Sequence, residues 1–238
     1  MRRRGPIMEG MSKDVPPRPH FYASFGRPYD LPELLADGIV HGIGVALALI
    51  GATILIFYTS VWGDGGHQAA AWIYGIGLVS SLAISFTYNM LPHSPFKWVM
   101  RRFDHSAIFV LIASTYTPFL VLGSETPMLR GLLFSIWGMA AAGILLKCVW
   151  PGRHDRLAIL LYLGMGWSGI LAIGPLRETL PGHSLLLIVV GGVIYSAGII
   201  FHVWERLRFQ NAIWHGFVVT AAAVHYSAVF TALSHARP

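Results

Sequence analysis

Apolar residues are arranged along this chain in seven runs, and short polar segments separate the runs. A run of about 20 apolar residues crosses the hydrocarbon core of a bilayer as a helix, because a helix satisfies its backbone polar groups internally. The pattern therefore predicts an all-α polytopic membrane protein, a bundle of seven transmembrane helices. The predicted spans are Gly38–Trp62, Ala69–Leu91, Ser106–Leu122, Gly131–Trp150, Leu157–Leu176, Ser184–Trp204 and Ala212–Leu233.

The composition supports a membrane protein with one domain. Of the 238 residues, 55% are hydrophobic and 12% are charged, and a soluble domain carries about 25% charged residues. The seven spans fill most of residues 33–238, which we predict to form the transmembrane domain. Residues 1–32, rich in proline and basic side chains, are predicted to be a disordered cytoplasmic tail. Cys148 is the only cysteine, so the chain forms no internal disulfide.

The positive charge is distributed unevenly between the two sides of the predicted bundle. Fourteen of the 17 Lys and Arg residues lie in the N-terminal segment and the second, fourth and sixth connections, or at span ends beside them. Because cytoplasmic loops carry the excess of Lys and Arg, the N-terminus is predicted to be cytoplasmic and the C-terminus outside the cell (inner) membrane. The net charge of +6 lies beside spans, so we expect membrane lipids as partners rather than nucleic acid.

Polar residues from four predicted spans lie at one depth, near the cytoplasmic ends of the spans. Ionisable residues inside a membrane are costly and mark functional sites, so these residues are predicted to line one polar cavity near the inner leaflet. They are His41, Ser81, Ser85, Asn89, Asp104, Asn211 and His215.

Each of these residues also has an ordinary structural explanation. His41 could be a packing residue, and Ser81 and Ser85 could bond carbonyls of their own helix. Asp104 could cap the third span. His225 lies deeper and is predicted to be a core residue. The shared depth of the set favours a site over these separate explanations.

The same stretches carry a resemblance to a known family. The motifs are S-F-T-Y-N-M-L-P, R-R-F-D-H-S-A-I-F-V-L-I-A-S-T-Y-T-P-F, L-G-M-G-W and R-F-Q-N-A-I-W-H-G-F. In this order and spacing they resemble the haemolysin III family, within the progestin and adiponectin receptor-like membrane proteins. The resemblance runs from Leu34 to Leu233 and implies a seven-helix bundle with a cytoplasmic N-terminus.

The resemblance also implies a zinc site, with departures. In the wider superfamily the zinc pattern is Ser-x3-His in the second span, Asp at the start of the third and His-x3-His in the seventh. Ser85, Asp104 and His215 match, and Asp104 and His215 are the implied metal-associated residues. Asn89 and Asn211 stand where the pattern has His, and an amide oxygen is a poor zinc ligand. We therefore expect zinc binding to be weak or absent, with His93 as a partial substitute and His105 as a poorer one.

Four functions remain open from the sequence. The leading one is a haemolysin III-like protein with a polar cavity, acting in membrane lipid or stress physiology without catalysis. The second is a zinc-dependent lipid amide hydrolase, in which Asp104 would take a proton and Ser85 would hold the oxyanion. A pore-forming cytolysin is less favoured because seven apolar spans follow no cleavable signal. A proton-coupled transporter ranks last, because the outer half offers few polar groups beyond Thr117 and Tyr195. The sequence predicts no oligomeric state.

Overall fold

The computed structural model describes residues 29–150 and 154–235. These residues form helices and short connections, with seven spans long and apolar enough to cross a membrane. The all-α prediction is therefore confirmed. The helices are α1 Leu31–Trp62, α2 Gly65–Met90, α3 Pro95–Leu122, α4 Pro127–Val149, α5 Asp155–Trp167, α6 Ile173–Thr179, α7 Gly182–Val203 and α8 Gln210–His235. The first 28 residues of the predicted tail lie outside the described residues, and Leu31 and Pro32 already belong to α1.

Two helices begin well before the predicted spans. α1 begins at Leu31, where Asp30 and Glu33 form a capping box. The Asp30 carboxylate accepts from the Glu33 amide at 2.9 Å, and the Glu33 carboxylate accepts from the Asp30 amide at 3.1 Å. α3 begins at Pro95, and the Ser94 hydroxyl accepts from the amide of the third helical residue. Asp104 therefore lies inside α3, and the interpretation of Asp104 as the cap of the third span is wrong.

α3 contacts α2, α4, α5, α6 and α8, and α8 contacts α1, α3 and α7. The close packing of α1 against α8 depends on small residues, as is common between membrane helices. A Cβ atom placed on Gly44 would lie 2.7 Å from a methyl carbon of Val219. The approach of these two helices brings their polar residues together further along the same interface.

The fifth span is interrupted, whereas the sequence predicted a continuous helix. α5 ends at Trp167, a 3₁₀ turn covers Ser168–Ala172, and α6 completes the span. The Tyr116 hydroxyl of α3 donates to the Gly166 carbonyl at 2.6 Å and accepts from the Gly169 amide at 3.0 Å. Tyr116 thus satisfies backbone groups that the interruption frees, as a membrane interior requires.

Candidate functional site

A row of buried acidic and imidazole side chains follows one face of α1. Glu33, Asp37 and His41 are 4%, 2% and 1% exposed. They are spaced four residues apart, so they lie one above another on the helix. Glu33 contacts Phe209 just before α8, and Asp37 contacts two side chains of α8, so this face is directed at the start of α8.

Asp37 is held by two side chains of α8. The ring Nδ1 of His215 lies 2.7 Å from Asp37 Oδ1, and because a carboxylate only accepts, the ring nitrogen donates. The Asn211 amide donates to Asp37 Oδ2 at 2.8 Å. Both carboxylate oxygens therefore have partners on the neighbouring helix, which stabilises a charge buried inside the bundle.

His41 completes a group of three possible metal ligands. Its Nε2 lies 3.7 Å from Asp37 Oδ1, and its ring centroid is 4.1 Å from that of His215. Both His41 ring nitrogens are buried, and neither has a hydrogen-bond partner among the described residues. One donor atom each from Asp37, His41 and His215 lies within 4.8 Å of the others. Two imidazoles and a carboxylate are a donor set used by metal sites, so this group can hold a metal ion.

A chain of amide hydrogen bonds connects this group to α2 and α3. The Asn211 amide also donates to Asn89 Oδ1 at 2.9 Å. The Asn89 amide donates to the Ser85 carbonyl at 2.9 Å and approaches the Ser85 hydroxyl at 3.4 Å. The Ser85 hydroxyl interacts in turn with the Asp104 carboxyl. The two asparagines that depart from the zinc pattern thus link Asp37 to Ser85 and Asp104.

A cavity of about 590 Å³ opens beside this cluster. All seven residues predicted for one polar site line it, and they are His41, Ser81, Ser85, Asn89, Asp104, Asn211 and His215. The Ser81 hydroxyl donates to the Ala107 carbonyl of α3 at 2.9 Å, so it bonds a neighbouring helix rather than its own. The remaining lining includes charged residues near the starts of α3 and α5, and it also includes apolar residues along α3, α5, α7 and α8. One cavity thus combines polar side chains at one end with an apolar branch.

Three further histidines lie outside the group of possible ligands. His93 is exposed after α2, where partial burial and then the Lys97 ammonium lower its pKa. The His105 ring nitrogen lies 3.8 Å from the Asp155 carboxylate. His225, predicted to be core, is partly buried and lines the cavity, with its Nδ1 bonded to the Ala221 carbonyl at 3.0 Å.

Asp37 is not among the site residues that the sequence predicted. The predicted first span began at Gly38, one residue too late to include it, because hydropathy detects the apolar run and not the polar first turns of the helix. The spacing Asp-x3-His from Asp37 to His41 places both on one helical face. Together with the capping pattern from Asp30 to Glu33, that spacing could have identified it.

The fold and the buried cluster define a class: integral membrane proteins of seven helices with a polar site between the first, second, third and last spans. The profile of a family described as "Haemolysin-III related" matches residues 32–226. The chain belongs to the haemolysin III family, within the progestin and adiponectin receptor-like proteins.

Bacterial and mammalian relatives cover most of the chain. "Hemolysin-3" of Bacillus cereus is 39% identical over 197 residues, which span 83% of this chain and 90% of the relative. "Hemolysin-3 homolog" of Bacillus subtilis is 35% identical, spanning 84% and 94%. The human "Monocyte to macrophage differentiation factor" is 30% identical and spans 83% of each chain. The predicted family resemblance is confirmed.

Proposed function

We propose that this protein is an intramembrane hydrolase that holds a zinc ion at Asp37, His41 and His215 and cleaves an acyl amide bond of a lipid. The observation that carries the proposal is His41, a buried imidazole whose two nitrogens have no hydrogen-bond partner among the described residues, beside a carboxylate and a second imidazole. Burying polar atoms without partners is costly, and a metal ion would satisfy one of them.

The proposed ligand set differs from the pattern implied by the superfamily. Asn89 and Asn211 occupy positions where the pattern has imidazoles, and they bond to each other. Asp37 and His41 of α1 supply a carboxylate and an imidazole on the other side of His215. Three protein ligands with one open position is the usual arrangement at catalytic zinc. Two ligand positions, one on α2 and one on α8, would therefore have been replaced by two on α1.

The neighbouring side chains fit acyl transfer to water. Zinc at this site would act as a Lewis acid toward a carbonyl oxygen. Asp104 can accept the proton of the attacking water and pass it to the leaving amine, while the C–N bond breaks and the hydroxyl stays on the acyl carbon. The Ser85 hydroxyl can donate to the oxyanion. The apolar branch of the cavity can seat the acyl chain.

A lipid-binding protein without catalysis is the second candidate. Asp37 already has His215 and Asn211 as partners, so much of the polar cluster is satisfied by the protein alone. Metal content distinguishes the two candidates. Although relatives are named as hemolysins, a pore-forming activity stays a prediction for this chain, to be tested by dye release from vesicles.

The test is zinc content of the purified protein, measured by plasma mass spectrometry. We expect close to one zinc per chain in the wild type and a large loss in His41→Gln, because zinc needs its ligands together. His225→Gln is the matched control, since His225 also lines the cavity but lies outside the ligand group. Zinc-dependent release of fatty acid from an N-acyl lipid should likewise be retained in the wild type and in His225→Gln and largely lost in His41→Gln. A wild type without zinc would contradict the hydrolase and favour the second candidate.

We also propose that the N-terminus is cytoplasmic and that the cavity opens near the inner leaflet. The proposal rests on the uneven Lys and Arg distribution. Alkaline phosphatase, which is active only outside the cytoplasm, should be active when fused after His235 and inactive when fused in the connection after Met90. The opposite pattern would reverse the orientation.

A further inference from the structure

Cationic, reactive and apolar side chains follow one another along the cavity face of α3. Lys97 and Arg101 lie in its first two turns, and Asp104 follows. Ile108 and Leu111 line the cavity deeper in the bundle. A helix has 3.6 residues per turn, so Arg101 lies roughly one turn from Asp104 and Lys97 roughly two turns from it.

Arg101 of α3 and Lys147 of α4 share one carboxylate, that of Asp155. Arg101 Nη2 lies 2.9 Å from Asp155 Oδ2, and Lys147 Nζ lies 2.6 Å from Asp155 Oδ1. One carboxylate thus faces two full positive charges. Arg101 Nη1 is buried and lacks a hydrogen-bond partner in the described part of the chain. Guanidinium donors of this kind bind carboxylate or phosphate oxygens.

A further buried cation, Lys97, lies near the start of α3. Lys97 is 8% exposed, and its ammonium donates to the carbonyls of Leu91 at 2.8 Å and Asn89 at 3.4 Å, which are neutral acceptors. Arg156 also lines the cavity, and the carboxylates that line it are Asp104, Asp155 and Glu205. A buried donor without an acceptor is costly, so an anion at Arg101 Nη1 would supply the acceptor that this donor lacks among the described residues.

We infer that the cavity binds a phosphate-bearing lipid, with the phosphate at Arg101, the acyl linkage beside Asp104 and His215, and the acyl chain along α3. The inference deepens the proposed function, on which its reactive end rests. In such a lipid, phosphate, acyl linkage and chain follow one another within a few bonds. That is also the order of cations, reactive groups and apolar lining along α3.

Arg101 and Lys147 also join α3 and α4 to α5 through Asp155. The test must therefore separate a structural role of Arg101 in this ion pair from its role in binding phosphate. Lys147 provides the control, because it shares the Asp155 carboxylate but does not line the cavity. Lys147→Met removes one cation from the ion pair and leaves Arg101 in place. Arg101→Gln removes the cation that faces the cavity.

The experiment measures equilibrium binding to the full-length protein in detergent, with a chelator present so that phosphate cannot bind through a metal ion. The probes are dioctanoyl phosphatidic acid, dioctanoylglycerol and inorganic phosphate. We expect the phosphatidic acid to bind about tenfold more tightly than dioctanoylglycerol, the usual effect of one charge-assisted contact. Arg101→Gln should remove this preference, Arg101→Lys should keep part of it, and Lys147→Met should keep all of it.

Several results would overturn the inference. One is equal binding of both lipids to the wild type, and another is a preference that survives Arg101→Gln or disappears in Lys147→Met. Inorganic phosphate binding as tightly as the phosphatidic acid would indicate a site for free phosphate. If Arg101→Gln does not fold, Arg156→Gln serves instead, because Arg156 is exposed. Arg156→Gln should lower the preference for phosphatidic acid over dioctanoylglycerol about twofold to threefold. An unchanged preference would count against the inference. Because no zinc is present, failure of the hydrolase leaves this result standing.

Discussion

The interface between α1 and α8 has two halves of opposite character. In the first half, Glu33, Asp37 and His41 face Asn211 and His215, and polar atoms bond across the interface. In the second half, Gly44 and Gly51 face Val219 and Tyr226, with no room for a Cβ at Gly44 and very little at Gly51. The same two helices are joined by hydrogen bonds at one end and by close backbone approach at the other.

The difference shows how a membrane helix pair can be both tight and chemically active. Without a hydrophobic force between helices in lipid, contact depends on packing and hydrogen bonds. The small residues fix the distance between α1 and α8, and the polar residues then meet at hydrogen-bonding range. The packed half thereby positions the polar half.

Asp37→Ala should break the polar half and have the largest effect. It leaves the His215 ring and the Asn211 amide without their acceptor, and removing one member of a buried pair costs about 3 kcal/mol. The measurement is thermal unfolding in detergent. Asp37→Asn, which keeps an acceptor oxygen, should cost clearly less, and equal losses would show that the acceptor oxygens are not what stabilises the interface.

Gly44→Ala should break the packed half. The new Cβ would lie 2.7 Å from a Val219 methyl carbon, and overpacking costs about 1–3 kcal/mol. Gly42→Ala is the matched control, because no atom lies within 4 Å of its Cβ. The control should be neutral or stabilising by about 0.5–1 kcal/mol, since alanine suits a helix better than glycine. The opposite order in unfolding temperature would contradict the packing argument.

Glu33→Ala should loosen the outermost contact of the polar half, with a smaller effect. The Glu33 carboxylate accepts from the Phe209 amide at 2.9 Å, just before α8, and from the Asp30 amide within the capping box. Losing such a cap costs about 1 kcal/mol. Glu33→Gln keeps an acceptor oxygen and should recover part of the loss in unfolding temperature; no recovery would mean that the negative charge itself is required.

The smallest effect should come from pH, at the far end of α1. Asp64 caps α2, and the His67 amide followed by its side chain lowers the Asp64 pKa below its usual 3.8. A carboxylate with a lowered folded-state pKa stabilises the fold above the unfolded value. That contribution should be lost as the pH falls through 3.8 and then through the folded-state pKa. Asp64→Asn still caps the helix but does not titrate, so the difference in unfolding temperature between wild type and variant should be constant above about pH 4 and change only below it.

Hydropathy predicted the seven spans because a bilayer demands long apolar runs whatever the tertiary contacts are. It placed the starts of α1 and α3 too late, since Glu33, Asp37, Lys97 and Arg101 are polar residues on helices that extend beyond the apolar run. Spacing placed Asn89, Asn211 and His215 near one another. It could not reveal that α1 brings Asp37 against His215, because that contact depends on how closely two helices distant in sequence approach.

The ion pair between Lys147 and Asp155 has a consequence for how the chain enters the membrane. Lys147 lies in the last turn of α4 and is 2% exposed, and Asp155 begins the next helix eight residues later. A lone lysine in a membrane segment is costly to insert, and its partner leaves the ribosome almost immediately after it. The fourth and fifth spans are therefore suited to enter the bilayer together, with the charge of Lys147 neutralised by Asp155. The order in which the two residues are synthesised then helps to decide the order in which their helices insert.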